Sequence, residues 1–385
     1  MKKTLLTICL VWMCFSLSAQ KIIDLSGKWS FSIDRQDNGE KEKWFSHTLN
    51  DFINLPGSMP EKLKGDEVTA KTQWTGSLYD SSYYYNPYME KYRKEGNIKF
   101  PFFLTPDKHY VGAAWYQKEV NIPADWKGER ILLFLERPHI ETTVWVNGQK
   151  TGMQNSLCVP HQYDITRYVR PGKCTITIRV DNRIKEINVG PDSHSITDQT
   201  QGNWNGIVGR ICLQTTPKTY FDDIQIYPEP EQKLARVKVV IKGTGTAKVK
   251  LSAESFNTDK KHIVPAIQQE IKLNKGVTET EMVLPMGNDM LLWDEFHPAL
   301  YKLKAEVTNG KKTEIKEIQF GMRRFEIKGK WFYVNGRKTQ LRGTVENCDF
   351  PLTGYAPMDV ESWERVFRIC RSYGLNHMRL SLIHI

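Results

Sequence analysis

The sequence predicts a mainly β protein of three parts: a jelly-roll β-sandwich, an immunoglobulin-like β-sandwich, and the opening of a βα unit. Three observations predict it. Short alternating strands separated by turns fill residues 24–216, with few helical stretches. A second series of short strands follows over about a hundred residues, 221–320. After Phe320 the pattern becomes strand, loop, helix, glycine, strand.

In the first part, Trp29-Ser30-Phe31-Ser32-Ile33 alternates apolar and polar residues, as a half-buried strand does, and residues 115–120 do so less strictly. Residues 131–135 are a continuous apolar run, the mark of a strand buried on both faces. Thr143-Val144-Trp145-Val146 leads into Asn147-Gly148, a strong hairpin signal because both central positions of a type I′ turn need positive φ. Thr175-Ile176-Thr177-Ile178-Arg179-Val180 alternates cleanly. Residues 74–101 break the rhythm with Tyr79, Tyr83, Tyr84, Tyr85, Tyr88 and Tyr92. Such a loop fits either a sugar-facing insertion or a segment that packs its own aromatics.

In the second part, residues 224–226, 236–241, 247–253 and 302–307 read as strands. Beyond it, Trp331-Phe332-Tyr333-Val334 runs into the Asn335-Gly336 turn, with residues 339–343 as the return strand. Asp359 is placed to cap a helix that sets Trp363, Val366, Phe367 and Cys370 on one face, and Gly374 to end it. Asn376-His377-Met378-Arg379 begins a further strand.

The chain opens with Met1-Lys2-Lys3-Thr4, an apolar run over 5–17, and Ser18-Ala19-Gln20. A basic start, an apolar stretch too short to span a bilayer and a small-residue exit predict a signal peptide over residues 1–19. Val11-Trp12-Met13 lack the small residue that lipoprotein processing prefers before Cys14. A soluble exported protein, periplasmic or secreted, is therefore expected. No later stretch is apolar enough for a membrane span. The net charge of +10 is spread along the chain, which speaks against a nucleic-acid partner. Cys158, Cys174, Cys212, Cys348 and Cys370 match neither a zinc pattern nor a dense disulfide framework. Buried thiols are expected, with one bridge among Cys158, Cys174 and Cys212 left open. Residues 380–385, LSLIHI, are the in-frame translation of a transposon end used in sequencing libraries, and are read as a non-native tail.

Eight short motifs then line up in order. They are Leu25-Ser26-Gly27-Lys28-Trp29, Leu55-Pro56-Gly57-Ser58-Met59, Val144-Trp145-Val146-Asn147-Gly148 and Tyr163-Asp164-Ile165-Thr166. Asn203-Trp204-Asn205-Gly206-Ile207 follows, then Leu292-Trp293 with Pro298-Ala299-Leu300-Tyr301. Last come Phe320-Gly321-Met322-Arg323, and Val334-Asn335-Gly336 with Leu341-Arg342-Gly343. In this order they resemble the N-terminal half of family 2 glycoside hydrolases, which include β-galactosidases, β-glucuronidases and β-mannosidases. The resemblance implies a sugar-binding jelly roll over 20–217, an immunoglobulin-like domain over 218–320, and the truncated start of a (β/α)8 barrel over 321–379.

The resemblance also implies site residues. In the family the loop matching Asn203, Trp204 and Asn205 reaches towards the barrel mouth and helps to hold the terminal sugar. Members often carry an acidic residue near the Asn203 position, which this sequence lacks there. Glu346, Asn347 and Asp349 follow the first barrel strand, at the end where barrels bind substrate. A histidine usual near the Asn347 position in β-galactosidases is missing, which argues against a close galactosidase copy. Arg379 matches an arginine that orients active-site carboxylates. A retaining glycosidase needs two carboxyls about 5 Å apart, one nucleophile and one acid/base. The family sets them after the seventh and fourth barrel strands, the acid/base glutamate following an asparagine. This sequence reaches the second strand and has no Asn-Glu dipeptide, so no catalytic residue is assigned within it.

The expectation is the N-terminal portion of an exported retaining exo-β-glycosidase, β-galactosidase-like, inactive as it stands. Its partner is an oligosaccharide or glycoside, with a homo-oligomer left open, no cofactor called for and no metal site read. A non-catalytic carbohydrate-binding protein of two sandwiches is the alternative, and a surface adhesin module a third. The first alternative predicts an end near Phe320 and does not account for the βα segment.

Overall fold

The computed structural model describes residues 21–76, 85–99, 105–157, 159–185, 196–198, 202–348 and 350–380. The expected signal peptide, Cys158, Asp349, residues 381–385, and Tyr79, Tyr83 and Tyr84 lie outside them. The chain forms two compact units. One comprises Lys21–Thr216 with Lys328–Phe332 and the residues from Lys338 onward; the other comprises Pro217–Ile327 with Tyr333–Arg337.

The first unit contains strands β1 (Ile22–Asp24), β2 (Gly27–Asp34), β3 (Asp51–Leu55), β4 (Gly57–Ser58), β5 (Asp66–Glu67) and β6 (Lys108–His109). It continues with β7 (Ala113–Ile122), β8 (Arg130–His139), β9 (Glu141–Val146), β10 (Gln149–Asn155), β11 (His161–Asp164), β12 (Gly172–Asp181) and β13 (Gly206–Thr216). One sheet runs β1-β13-β8-β11 with β4 also on β13, and the other runs β10-β9-β12-β7-β2-β3. Apolar residues at every second position of both sheets meet in one core. Leu133, Leu135, Ile211 and Leu213 come from the first, and Trp29, Phe31, Tyr116, Val144, Ile176 and Ile178 from the second. The alternation read in the sequence thus fixes which side chains face inward. Asn147 and Gly148 take φ of 50° and 78°, as the type I′ hairpin between β9 and β10 requires. Trp115 and Trp145 lie on the other face of the second sheet, where Trp44, Phe45 and Leu49 cover them.

The second unit holds β14 (Tyr220–Glu229), β15 (Leu234–Ser255), β16 (Ile263–Pro285), β17 (Tyr301–Asn309) and β18 (Lys312–Phe320), in the order β14-β15-β17-β18 with β16 also on β15. Its core is mainly aliphatic, with Val237, Val239, Val249, Leu251, Leu284, Leu303 and Val307, joined by Phe221, Tyr301 and Phe320. The expected strands over 236–241 and 247–253 are one continuous strand, β15. Irregular pairing between Gly243 and Gly245 lets it bend without ending. Two distant motifs meet here. The Trp293 amide donates to the Met322 carbonyl at 2.9 Å, and a side chain at Gly321 would lie 3.0 Å from Trp293. The Arg323 guanidinium covers the same ring at 4.6 Å.

Three short strands follow, β19 (Phe325–Lys328), β20 (Trp331–Val334) and β21 (Arg337–Thr339). Asn335 and Gly336 turn between the last two with φ of 50° and 76°. The return strand is therefore β21, two residues earlier than residues 339–343, and Gly343 instead opens the next strand. β22 (Gly343–Glu346), helix α1 (Val360–Ser372) and β23 (His377–Leu380) complete the described chain. β22 and β23 pair in parallel across the helix, which makes one βα unit. The Asp359 carboxylate accepts the Ser362 amide at 2.7 Å and caps the helix, and Gly374 leaves it with φ 74°. Leu380, the first residue of the expected non-native tail, closes β23 opposite Glu346.

Candidate functional site

The 203–206 loop enters β13 where two of the sequence motifs converge. Gly206 pairs with Ser58 and Ile207 with Gly57, and the Met59 amide donates to the Asn205 carbonyl at 2.7 Å. A side chain at Gly206 would lie 2.4 Å from the Gly57 carbonyl oxygen, so the crossing needs glycine there.

Asn203, Trp204 and Asn205 are all buried. The Asn205 side-chain amide donates to the carbonyls of Gly112 and Val180 at 2.9 and 3.0 Å, and its oxygen accepts the Tyr116 hydroxyl at 2.8 Å. Asn203 donates through its side chain to Thr75 Oγ1 at 3.1 Å and to the Asn182 carbonyl at 2.9 Å. Its Oδ1 has no hydrogen-bond partner. The structure therefore gives Asn205 a bracing role, and within the Asn203 side chain it leaves one unspent acceptor.

The sequence carries no acidic residue at the Asn203 position, and the structure brings one there from five residues upstream. The Asp198 carboxylate is buried. It accepts the Asn203 amide at 2.8 Å and the Thr75 amide at 2.6 Å, and lies 3.3 Å from His109 Nε2. Trp74 meets the His109 ring edge-on at 4.9 Å. One carboxylate thus ties together three chain segments: 74–75, 109 and 203. The sequence signal was the acidic residue in the Asp-, Gln- and Thr-rich stretch before Asn203.

Trp204 lies between two rings. His139 stacks on it at 4.6 Å with 16° between the planes, and Tyr355 approaches at 5.4 Å. His139 is 1% exposed, and its pKa is pushed down to about 3. Burial is the main cause and the Arg137 charge adds to it. The nearby Asn203 side chain acts the other way.

On the barrel side, Glu346 ends β22, and its carboxylate accepts the Cys348 amide at 2.8 Å. Asn347 beside it is exposed, as is Arg379 on β23. In register, Glu346 faces Leu380 and Arg379 faces Val345. Successive side chains of a strand point to opposite faces, so Glu346 and Arg379 project from opposite sides of this pair. The structure therefore gathers Asn203, Trp204 and Asn205 in one loop, and does not bring Arg379 to the side of Glu346. Cys174, Cys212, Cys348 and Cys370 form no disulfide. Among the described residues no group of three His, Cys, Asp or Glu side chains is arranged to hold a metal ion. No helix of the described chain is long and apolar enough to cross a membrane.

A jelly roll, an immunoglobulin-like sandwich and one βα unit follow one another in that order along the described chain. The family model for the sugar-binding domain of glycosyl hydrolases family 2 matches residues 22–217, and a second model, glycosyl hydrolases family 2, matches 219–323. The chain belongs to glycosyl hydrolases family 2. A putative beta-glucuronidase of Formosa agariphila is 28% identical to it, over 72% of this chain and 33% of that protein. Human beta-glucuronidase is 24% identical, over 93% of this chain and 53% of the relative. A beta-galactosidase of Thermoanaerobacter pseudethanolicus is 24% identical, over 74% and 38%. Among solved structures, a beta-glucuronidase from Ruminococcus gnavus in complex with N1-substituted uronic isofagomine has a TM-score of 0.68 at 19% identity. That match covers 94% of this chain and 57% of the other, and it shows the shared fold. The chain thus spans between about a third and somewhat over half the length of these proteins.

Proposed function

We propose that this chain is the N-terminal portion of an exported, retaining exo-β-glycosidase whose substrate is a β-glucuronide or β-galactoside at the end of a larger glycoside. The family match across both sandwiches carries this reading, and the parallel β22–β23 pair after them supports it. In this reading the 203–205 loop of the first sandwich borders the sugar site, and Glu346, Asn347 and Asp349 follow the first barrel strand in sequence, where substrate would bind. Both catalytic carboxylates belong to barrel strands beyond residue 385, so the 385-residue chain alone turns over no glycoside.

The test begins with the genomic frame downstream of the Arg379 codon. The expected result is an extension of some 300 residues that carries an Asn-Glu pair and a later strand-end glutamate. The extended protein is then assayed on aryl β-glucuronides, β-galactosides and β-mannosides, with the anomer of the first product read by NMR. Hydrolysis with retention supports the proposal. An extended protein inert on the whole panel, or one that inverts the anomer, overturns it. Export is read separately, from cleavage of the leader and periplasmic recovery on expression.

A further inference from the structure

We infer that Trp204 is a positioning residue: it fastens loop 350–358 to the sandwich, and through that loop holds the Glu346–Asn347 end of β22. The importance of that strand end rests on the proposed glycosidase reading, whereas the fastening does not. The indole is 3% exposed, which leaves almost none of it for a sugar to stack on. One face is taken by His139 and another side by Tyr355. Gly354, with φ 82°, comes so close that a Cβ there would lie 2.8 Å from the indole, so the loop has been fitted to the ring at backbone distance.

Other grips surround that contact. Ser58 Oγ donates to the Thr353 carbonyl, and the Tyr355 hydroxyl donates to Glu61 Oε2 at 2.8 Å. The strand that carries Ser58 is the one that pairs with Gly206, so the first grip starts from the 203–206 loop's own neighbour. A Cβ at Gly209, where β13 pairs irregularly with β8, would lie 2.9 Å from Met358 Cε. The loop also closes on itself: the Gly354 amide donates to the Phe350 carbonyl at 2.6 Å, and Thr353 Oγ1 to the Tyr355 carbonyl at 2.8 Å. Glu61 is suited to accept from Tyr355. Burial raises its pKa, but the hydrogen bonds from Lys62 and Tyr355 outweigh burial and hold the carboxyl below its ordinary value. From Phe350 back to Glu346 is four residues, with Cys348 buried between them and its amide on the Glu346 carboxylate. A loop released at Tyr355 therefore releases the strand end within a few residues.

The test is hydrogen exchange by mass spectrometry on the 385-residue chain. Trp204→Ala is expected to raise exchange over residues 346–358 by about tenfold or more while β7 and β12 stay at wild-type rates. Trp204→Phe, which keeps a ring between His139 and Tyr355, is expected to restore protection. Compared with Tyr355→Phe, which loses only the hydroxyl's bond to Glu61 and is expected to keep the loop protected, Tyr355→Ala attacks the ring contact from the loop side and is expected to release the same residues. It decides the matter if Trp204→Ala does not fold. The inference is overturned if either alanine variant leaves 346–358 at wild-type rates. It is equally overturned if Trp204→Ala loosens β7 and β12 as much as the loop, which is the behaviour of an ordinary core tryptophan. No glycoside is involved, so an extended protein inert on every glycoside would sink the proposed function and leave this result standing.

Discussion

The 203–206 loop and helix α1 both come from motifs that the sequence announces, yet they are held in opposite ways. The loop is irregular backbone at the centre of a sandwich, and nearly every polar group in it has a partner. Asn205 alone braces two neighbouring chain segments, one through Gly112 and Tyr116 and the other through Val180. The helix has regular backbone, a capped start and a glycine exit, yet it buries none of its residues among the described chain. Phe367, on its apolar face, is 50% exposed and stacks on Trp363 at 5.9 Å. Secondary structure and stability are therefore separate matters here. An irregular loop can be the better-anchored element when its amides and carbonyls are answered one by one.

The sharpest way to break that comparison is Asn205→Ala. It strands two buried carbonyls and the Tyr116 hydroxyl together, and is expected to cost about 3–5 kcal/mol, read as a lowered urea midpoint of the first unit. A loss below about 1 kcal/mol would mean that the loop is not braced as described.

Next in size is a pH effect. His139 and His161 are held at pKa values of about 3 and about 4, chiefly by burial. Each is ordinary, near 6.5, when unfolded, so the unfolded chain binds more protons over the intervening range. Their contribution is complete above about pH 6.5 and is lost as pH falls towards 4, at about 1.4 kcal/mol per pH unit for each histidine. His139→Phe keeps the stack on Trp204 and removes one titrating group. The slope of stability against pH is expected to fall by about half between pH 6 and 4, and an unchanged slope would show that His139 is not buried neutral.

A third effect appears at lower pH. Asp181 precedes Asn182, whose carbonyl receives Asn203. Burial raises its pKa, but hydrogen bonds from Arg183 and the charge of Arg179 overcome that and hold the carboxyl well below its ordinary value. Its stabilisation is present above the unfolded value, about 3.9, and is lost as pH falls below it. Asp181→Asn should lower stability at pH 7 and converge with the wild type at the acid end, as chemical denaturation at stepped pH would show. The smallest effect is expected on the helix. Phe367→Ala should change the unfolding midpoint by less than about 0.5 kcal/mol, since half of that side chain is already in water.

Much of this architecture was legible beforehand because it depends on neighbours in sequence. Asn147-Gly148 and Asn335-Gly336 had to turn, alternation set the inward faces of β2 and β12, and Asp359 had a helix to cap. What escaped depends on distance. β16 reads as polar, because Gln268, Glu270, Lys272, Glu279 and Glu281 fill its outward positions and only every second residue meets the core. Two expected strands became the single β15 because Gly243 and Gly245 bend a strand as readily as they end one. In the candidate site, the resemblance pointed to the correct loop. It could not show that the amides of Asn203 and Asn205 are committed to the carbonyls of Gly112, Val180 and Asn182, between 21 and 93 residues away. Nor could spacing show that Asp198 folds back onto Asn203.

The 23-residue strand β16 pairs along its length with β15, and among the described residues no strand covers its other edge. An open edge of that length is a template on which chains can polymerise. Here Glu270, Lys272, Glu279 and Glu281 stand exposed on it, the last two paired with Lys238 and Arg236 of β15, so a second copy laid against the edge would have to strip charged groups of water. The polarity that hid this strand from the sequence reading is thus its protection against aggregation, and replacing those charges with valine would turn a domain wall into a nucleus for fibres.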